Sequence, residues 1–258
     1  MIYVMFLSSA TSLKSSSQLD MVLEANPIED AGITFSDDFS TDSGMWTYIG
    51  SAYLDTDNGY IVLTRNEIRQ GGVIWFNLTF NCPFSVNFRY KAGGGTGADG
   101  FLMFFYMEKT NSTNGWHYAY INGHWEWCNG SYEKNWHYAC MNCSGYGCGS
   151  GYCIEFDNYR NSEWNDPSSN HIALLKDSSS NHIVYTNDLR TEDNKWHEVK
   201  INVDNSSVTV FVDSDMVLYW SGVIDRTYSY FGFAGATGED TNWHIIDDFS
   251  ITLLEHYI

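Results

Sequence analysis

Two stretches of strict alternation limit the fold more than any other feature of this chain. Phe84, Val86, Phe88 and Tyr90 alternate with Ser85, Asn87 and Arg89, and Val199, Ile201 and Val203 alternate with Lys200 and Asn202. A period of two turns one row of side chains inward and the other to water, so each stretch reads as a half-buried strand. Val208, Val210 and Val212 continue the second pattern beyond a turn at Asp204–Ser206, and Gly59–Arg65 adds a short apolar run. Phe101–Met107 is apolar throughout, as a strand covered on both faces would be. No segment carries a sustained helical stripe with caps. With Pro at only 3, the turns fall to 22 Gly and to Asn, Asp and Ser. Ser36-Asp37-Asp38-Phe39-Ser40 is echoed by Ile246-Asp247-Asp248-Phe249-Ser250, which predicts first and last strands lying side by side. The echo is not a repeat of fixed period, so a solenoid is not indicated.

An antiparallel all-β sandwich follows, and 258 residues suit one large sandwich. Residues 1–33 lack periodicity and read as a leader or N-terminal arm, leaving 34–258 as the sandwich domain. Met1–Leu7 is apolar and Ser8–Ser17 small and polar, like the tail of a signal peptide without its basic start. No later stretch is long and apolar enough to span a bilayer. Hydrophobic residues at 43% provide for a sizeable core, and charged residues at 17% argue against disorder.

The formal net charge is -19, from 13 basic and 32 acidic residues. Such a chain repels phosphate backbones and anionic membranes, which excludes nucleic acid as a partner, whereas divalent cations and neutral sugars suit it. The 10 Trp and 18 Tyr read first as core and second as sugar-stacking platforms. Six cysteines are present, Cys82 and a cluster of Cys128, Cys140, Cys143, Cys148 and Cys153. Sequons begin at Asn77, Asn111, Asn129, Asn142 and Asn205. Paired cysteines and sequons together point to a disulfide-bonded glycoprotein in an extracellular or cell-surface setting. A zinc knuckle built from the clustered cysteines near His137 is the rival reading. The segment 111–152, rich in Trp, Tyr, His, Gly, Asn and Cys, reads as a stapled insertion whose aromatics line either a binding face or a miniature core of their own.

The segment from Ile154 to His171 carries the chemistry. Glu155 and Asp157 lie two apart on an expected strand, so their carboxylates share a face. Asn161 and Asp166 follow in a loop that returns at His171. Carboxylates and an amide oxygen suit calcium, and a histidine among carboxylates suits a transition metal, so one loop could hold two ions bridged by Asp157 and Asp166. A solvated acidic loop without metal is the alternative on composition alone.

This segment resembles the metal loop of the legume (L-type) lectins, with matching spacing. The resemblance implies a concanavalin A-like jelly roll. It implies manganese or another transition metal on Glu155, Asp157, Asp166 and His171, and calcium on Asp157, the Tyr159 carbonyl, Asn161 and Asp166. Gly97-Ala98-Asp99-Gly100-Phe101 is similar to the family's Ala-Asp-Gly motif, in which the aspartate binds sugar and the preceding peptide is cis. Gly232–Gly238, Asp248-Phe249-Ser250 and Trp196–Val199 resemble its closing strands and the strand before them, so the resemblance covers roughly 35–253 in order. It implies calcium-dependent glycan or glycoprotein binding by Asp99 and Asn161. A stacking aromatic such as Trp116 or Trp125, a backbone amide at Gly115, and Glu239 and Asp240 of the specificity loop would complete the site. The chain departs from the family in its long insertion, its acidic specificity loop, Asp248-Phe249 at the family's Ser-Trp pair, and the stretch near Asn181 where the last outer position of the metal site falls.

Two other functions compete. Glycoside hydrolases of this architecture need a third acid on the strand of Glu155 and Asp157, but Tyr159 and Arg160 follow there and Glu163 falls in the loop, so the chain reads as no enzyme. A structural subunit of an extracellular filament or surface layer is the alternative. The arm would then add a strand to a neighbour, giving a homo-oligomer or filament.

Overall fold

The computed structural model describes residues 32–108, 115–121, 124–130, 150–162 and 165–254, with the backbone alone given for 115–121 and 124–130. Strands are numbered in chain order. One eight-stranded sheet runs β15 (Asp215–Ser221), β14 (Ser207–Val212), β13 (Trp196–Val203), β6 (Phe84–Gly93), β17 (Trp243–Leu253), β4 (Tyr60–Thr64), β3 (Tyr53–Asp55), with β1 (Ile33–Asp37) also paired to β17. The facing seven-stranded sheet runs β12 (His182–Asn187), β11 (His171–Lys176), β10 (Tyr152–Asp157), β7 (Gly100–Met107), β16 (Tyr230–Ala236), β5 (Gly71–Phe76), β2 (Trp46–Gly50). All ladders are antiparallel, and this is the expected concanavalin A-like sandwich.

The alternating stretches do what their period demands. In β6 the even-numbered row packs between the sheets, in β13 the odd-numbered row does, and in each the other row faces water. The echo of Asp-Phe-Ser is a pairing: Ser36 sits opposite Ser250 and Asp37 opposite Phe249 in the β1–β17 ladder. β1 begins at Ile33, the last residue of the expected arm, and residues 1–31 lie outside the described residues.

β7 is buried along its whole length because it serves two cores. Phe101, Met103 and Phe105 face the first sheet, while Leu102, Phe104 and Met107 join Val73, Trp75, Cys153, Ala173 and Leu175 on the opposite face. A bulge marks the change of phase: Tyr106 has φ 45 and the β16–β7 register slips there, so Phe105 and Tyr106 both point into the central core. Among the described residues most aromatics are core, as in the stacked rings of Phe101 and Phe156 at 4.6 Å and the edge-on pair of Trp46 and Phe249 at 4.9 Å.

Within the expected insertion, β8 (Gly115–Ile121) and β9 (His124–Gly130) form a separate hairpin that pairs Trp116 with Asn129 and Tyr120 with Trp125. Cys153 is buried in the outer cluster and the Cys82 carbonyl accepts from the Tyr106 hydroxyl at 2.6 Å. The side chains of Cys128, Cys140, Cys143 and Cys148, and with them His137 and the disulfide framework, lie outside the described residues, as do the sequons at Asn111, Asn129 and Asn142. Asn77 and Asn205 are exposed. No helix among the described residues is long and apolar enough to cross a membrane.

Candidate metal centre

Register brings the expected site residues to one end of the second sheet. Asp157 closes β10, where it lies opposite His171 on one side and Gly100 on the other. The loop between β10 and β11 therefore leaves and returns at one level, beside Asp99, which precedes β7. The Ala98–Asp99 peptide is cis, as the resemblance implies. The Asp99 carbonyl accepts from the backbone N–H of Asn158 at 2.8 Å and of Tyr159 at 3.2 Å, and its own N–H donates to Ala236 at 3.1 Å. The aspartate is thus tied by its backbone to the metal loop and to β16. Gly97 sets the approach: its φ is +110, and a Cβ there would meet Glu192 Oε1 at 2.8 Å.

A buried polar network backs this loop. His244 is fully buried between Thr64 Oγ1 at 2.6 Å and Asn158 Oδ1 at 3.0 Å. Asn158 donates to the Thr191 carbonyl at 2.6 Å, and Asn242 joins Glu192 Oε1 at 3.1 Å to the Gly95 N–H at 3.1 Å. Burial pushes His244 down to about 3, so it is a neutral imidazole holding two loops together.

The centre itself holds more negative charge than its own donors can balance. Burial, then the charges of Glu155 and Asp166, push Asp157 up to about 10. Burial, then Asp240 and Asp166, raise Asp99 to about 6. Asp166 is raised to about 6 by burial, which outweighs the N–H of Asn161 donating to its Oδ2 at 2.5 Å. Burial would also raise Glu155, but His171 and His182 overcome it and hold the group below its ordinary value. For His182, burial works downward and is outweighed by Glu155 and Asp166, so the imidazole is raised. Glu155 Oε2, Asp157 Oδ1, His171 Nε2 and both His182 ring nitrogens are buried with no hydrogen-bond partner among the described residues. Buried polar atoms are ordinarily satisfied, so these orphans mark a place built for something else, and a donor set of carboxylates and imidazoles fits a divalent cation.

Glu155 and His171 come together with His182, Asp166 reaches this group through His182 at 3.6 Å, and Asp157 and Asp99 are close enough to feel one another. Asp240 is the acidic neighbour of the specificity loop whose charge reaches Asp99, while Glu239 is engaged by Arg69 at 2.7 Å. Gly238 lies against Asp99, 3.4 Å from where its Cβ would stand to Oδ2. Tyr159 is 43% exposed, and its N–H donates to the Asp99 carbonyl. Gly115 is described only as backbone in β8, and the side chains of Trp116 and Trp125 lie outside the described residues.

Comparison with known proteins agrees with this frame. The model of the legume-like lectin family matches residues 37–119. That part of the chain is similar to the legume-like lectins. No curated protein matches the sequence. Among solved structures, the chain is similar to the exoplasmic/lumenal domain of VIP36 in its Ca2+/Man3GlcNAc-bound form, at TM-score 0.60 and 17% identity over 87% of this chain and 90% of that one. It is also similar to lectin UEA-II complexed with galactose (TM-score 0.62, 17% identity, 85% and 98% covered) and to a lectin from Bauhinia forficata in complex with GalNAc (TM-score 0.61, 18% identity, 86% and 97% covered). At such identities the likeness establishes the fold.

Two parts of the centre were not legible in the sequence. His182 was hidden because it opens β12, beyond β11 and the turn at 177–181, outside the Glu155-to-His171 segment that carries the other candidates. A histidine opening a strand in an otherwise Ser- and Asn-rich stretch was the available signal. The scaffold of Asn158, His244 and Asn242 comes from three segments far apart in sequence and had no local signature.

Proposed function

We propose that the chain is a non-catalytic, calcium-dependent carbohydrate-binding domain that works outside the cytosol, in a lumenal, secreted or cell-surface setting. The observation that carries this reading is Asp99. Its carboxylate is half-buried and raised to about 6, its backbone is fastened to the first residues of the metal loop, and Gly238 lies against its head. A half-buried acceptor so held suits a ligand hydroxyl. Asn161, whose N–H grips Asp166, supplies the amide that would donate to the same sugar while its oxygen serves calcium with Asp157, Asp166 and the Tyr159 carbonyl. Calcium would neutralise the centre and fix the loop beside Asp99. Manganese or another transition ion would occupy the neighbouring donors. The family match and the lectin neighbours, whose bound ligands are Man3GlcNAc, galactose and GalNAc, support the ligand class. The acids are committed to cations, which supports a binding role over hydrolysis.

The test is a glycan array probed with calcium and again after chelation. Binding to a defined glycan that disappears on chelation supports the proposal, and silence under both conditions rejects it.

A further inference from the structure

We propose that His182 is a direct metal ligand, and that with Glu155 and His171 it forms a centre, flanked by Asp166, selecting zinc or a similar borderline divalent cation over manganese. The inference rests on the metal reading of the β10–β11 loop and is independent of sugar binding.

Four observations converge. His171 Nδ1 lies 2.7 Å from the Ser168 carbonyl, which can only accept, so the ring proton sits on Nδ1 and Nε2 offers a bare lone pair. Metal-binding histidines are commonly fixed in this way, one nitrogen donating to a carbonyl and the other facing the ion. Second, that Nε2 is 3.4 Å from Glu155 Oε2, and His182 Nε2 is 3.4 Å from the same oxygen and 3.6 Å from Asp166 Oδ1. These separations are long for hydrogen bonds, yet ligands at 2.0–2.1 Å around a tetrahedral ion stand about 3.3 Å apart, so the two that meet at Glu155 Oε2 match the edges of one coordination shell, with Asp166 beside it. Third, the His171 side chain is 0% and the His182 side chain 5% exposed, with both Nε2 atoms unpartnered among the described residues. Fourth, Ala173 pairs with Glu155 on one side and Tyr185 on the other, so the position between the two imidazoles carries only a methyl group, and the rings meet at 5.5 Å.

Donor chemistry then chooses the ion. Imidazole favours zinc, copper, nickel and iron, while manganese prefers carboxylate and water and stands lowest in divalent affinity order. A second imidazole moves the centre toward zinc.

The experiment uses the full chain stripped of metal, titrated calorimetrically with zinc and with manganese, and with cobalt as a visible-spectrum probe. Zinc should bind more tightly than manganese, and His182→Gln should weaken zinc by about 100-fold or more and bleach the intense cobalt bands of a tetrahedral site. Circular dichroism of the metal-free variant checks folding, and His171→Gln gives a second measure should His182→Gln fail to fold. Zinc affinity no better than manganese, or a His182→Gln protein that binds zinc and cobalt as the parent does, overturns the proposal. A silent glycan array alongside intact zinc binding would sink the sugar reading alone.

Discussion

Asp37 and Asp157 are both buried carboxylates at the ends of strands, one on each sheet, and they are solved in opposite ways. Asp37 is 9% exposed and accepts from the Phe39 N–H, the Ser43 hydroxyl and the Trp46 indole N–H. Its charge is spread over donors that the chain itself supplies, and the result locks the start of the domain to Trp46 and the aromatic core. Asp157 is 4% exposed, has an oxygen with no partner among the described residues, and is surrounded by Glu155, Asp166 and Asp99. A buried acid with its donors present is structure. One ringed by other acids, with an oxygen left unpartnered, has a donor set that fits a cation.

The contrast can be broken most directly through ligand capture. Asp99→Ala should abolish glycan binding while Asp37→Asn retains it in whatever fraction stays folded, read on the array or by calorimetry. Retained binding in Asp99→Ala would remove the carboxylate from the sugar site. Next in size is the cost of truncation. Asp37→Ala strands buried donors and should lose about 1–3 kcal/mol in urea unfolding, whereas Asp157→Ala in metal-free protein should lose little or gain. Equal losses would mean that the two acids do the same job. Calcium sharpens the point: at 100 times its dissociation constant it should add about 2.7 kcal/mol to the parent protein and nothing to Asp157→Ala.

Acid should expose the buried scaffold behind the site. His244 is lowered from 6.5 to about 3 in the fold, so the unfolded chain takes up its proton first. Its contribution is fully present above pH 6.5 and is lost as pH falls toward 3. His244→Gln should flatten the slope of stability against pH in that window, and an unchanged slope would show that the imidazole is not held neutral. The smallest effect belongs to the rim. Arg69→Ala breaks an exposed pair with Glu239 and should cost no more than about 1 kcal/mol, with any change confined to which glycans are preferred.

How far the sequence could be read follows from where each signal lived. The strands of β6, β13 and β14 were legible because one face meets the core and the other meets water, and the buried run of β7 was legible because neither does. The Glu155-to-His171 loop was legible because its ligands are local. His182 was not, since nothing in the sequence says how a hairpin with a bulge between Leu174 and Leu175 will lean its first residue back over Ala173. The bulge at Tyr106 was equally silent, because its cause is the packing of two cores against one strand.

The β1–β17 ladder also fixes how the domain can be held. Ile33 sits opposite Leu253, and Leu253 opposite Phe84, while at the far end of the same sheet Trp243 lies beside Gly93, where the chain turns toward Asp99. Both ends of the folded unit therefore emerge at its base and the ligand loops stand at its tip. A tether at either terminus would point the tip outward, and tension between the two termini would be borne by the few rungs from Ile33 to Asp37 before it reached the metal loop.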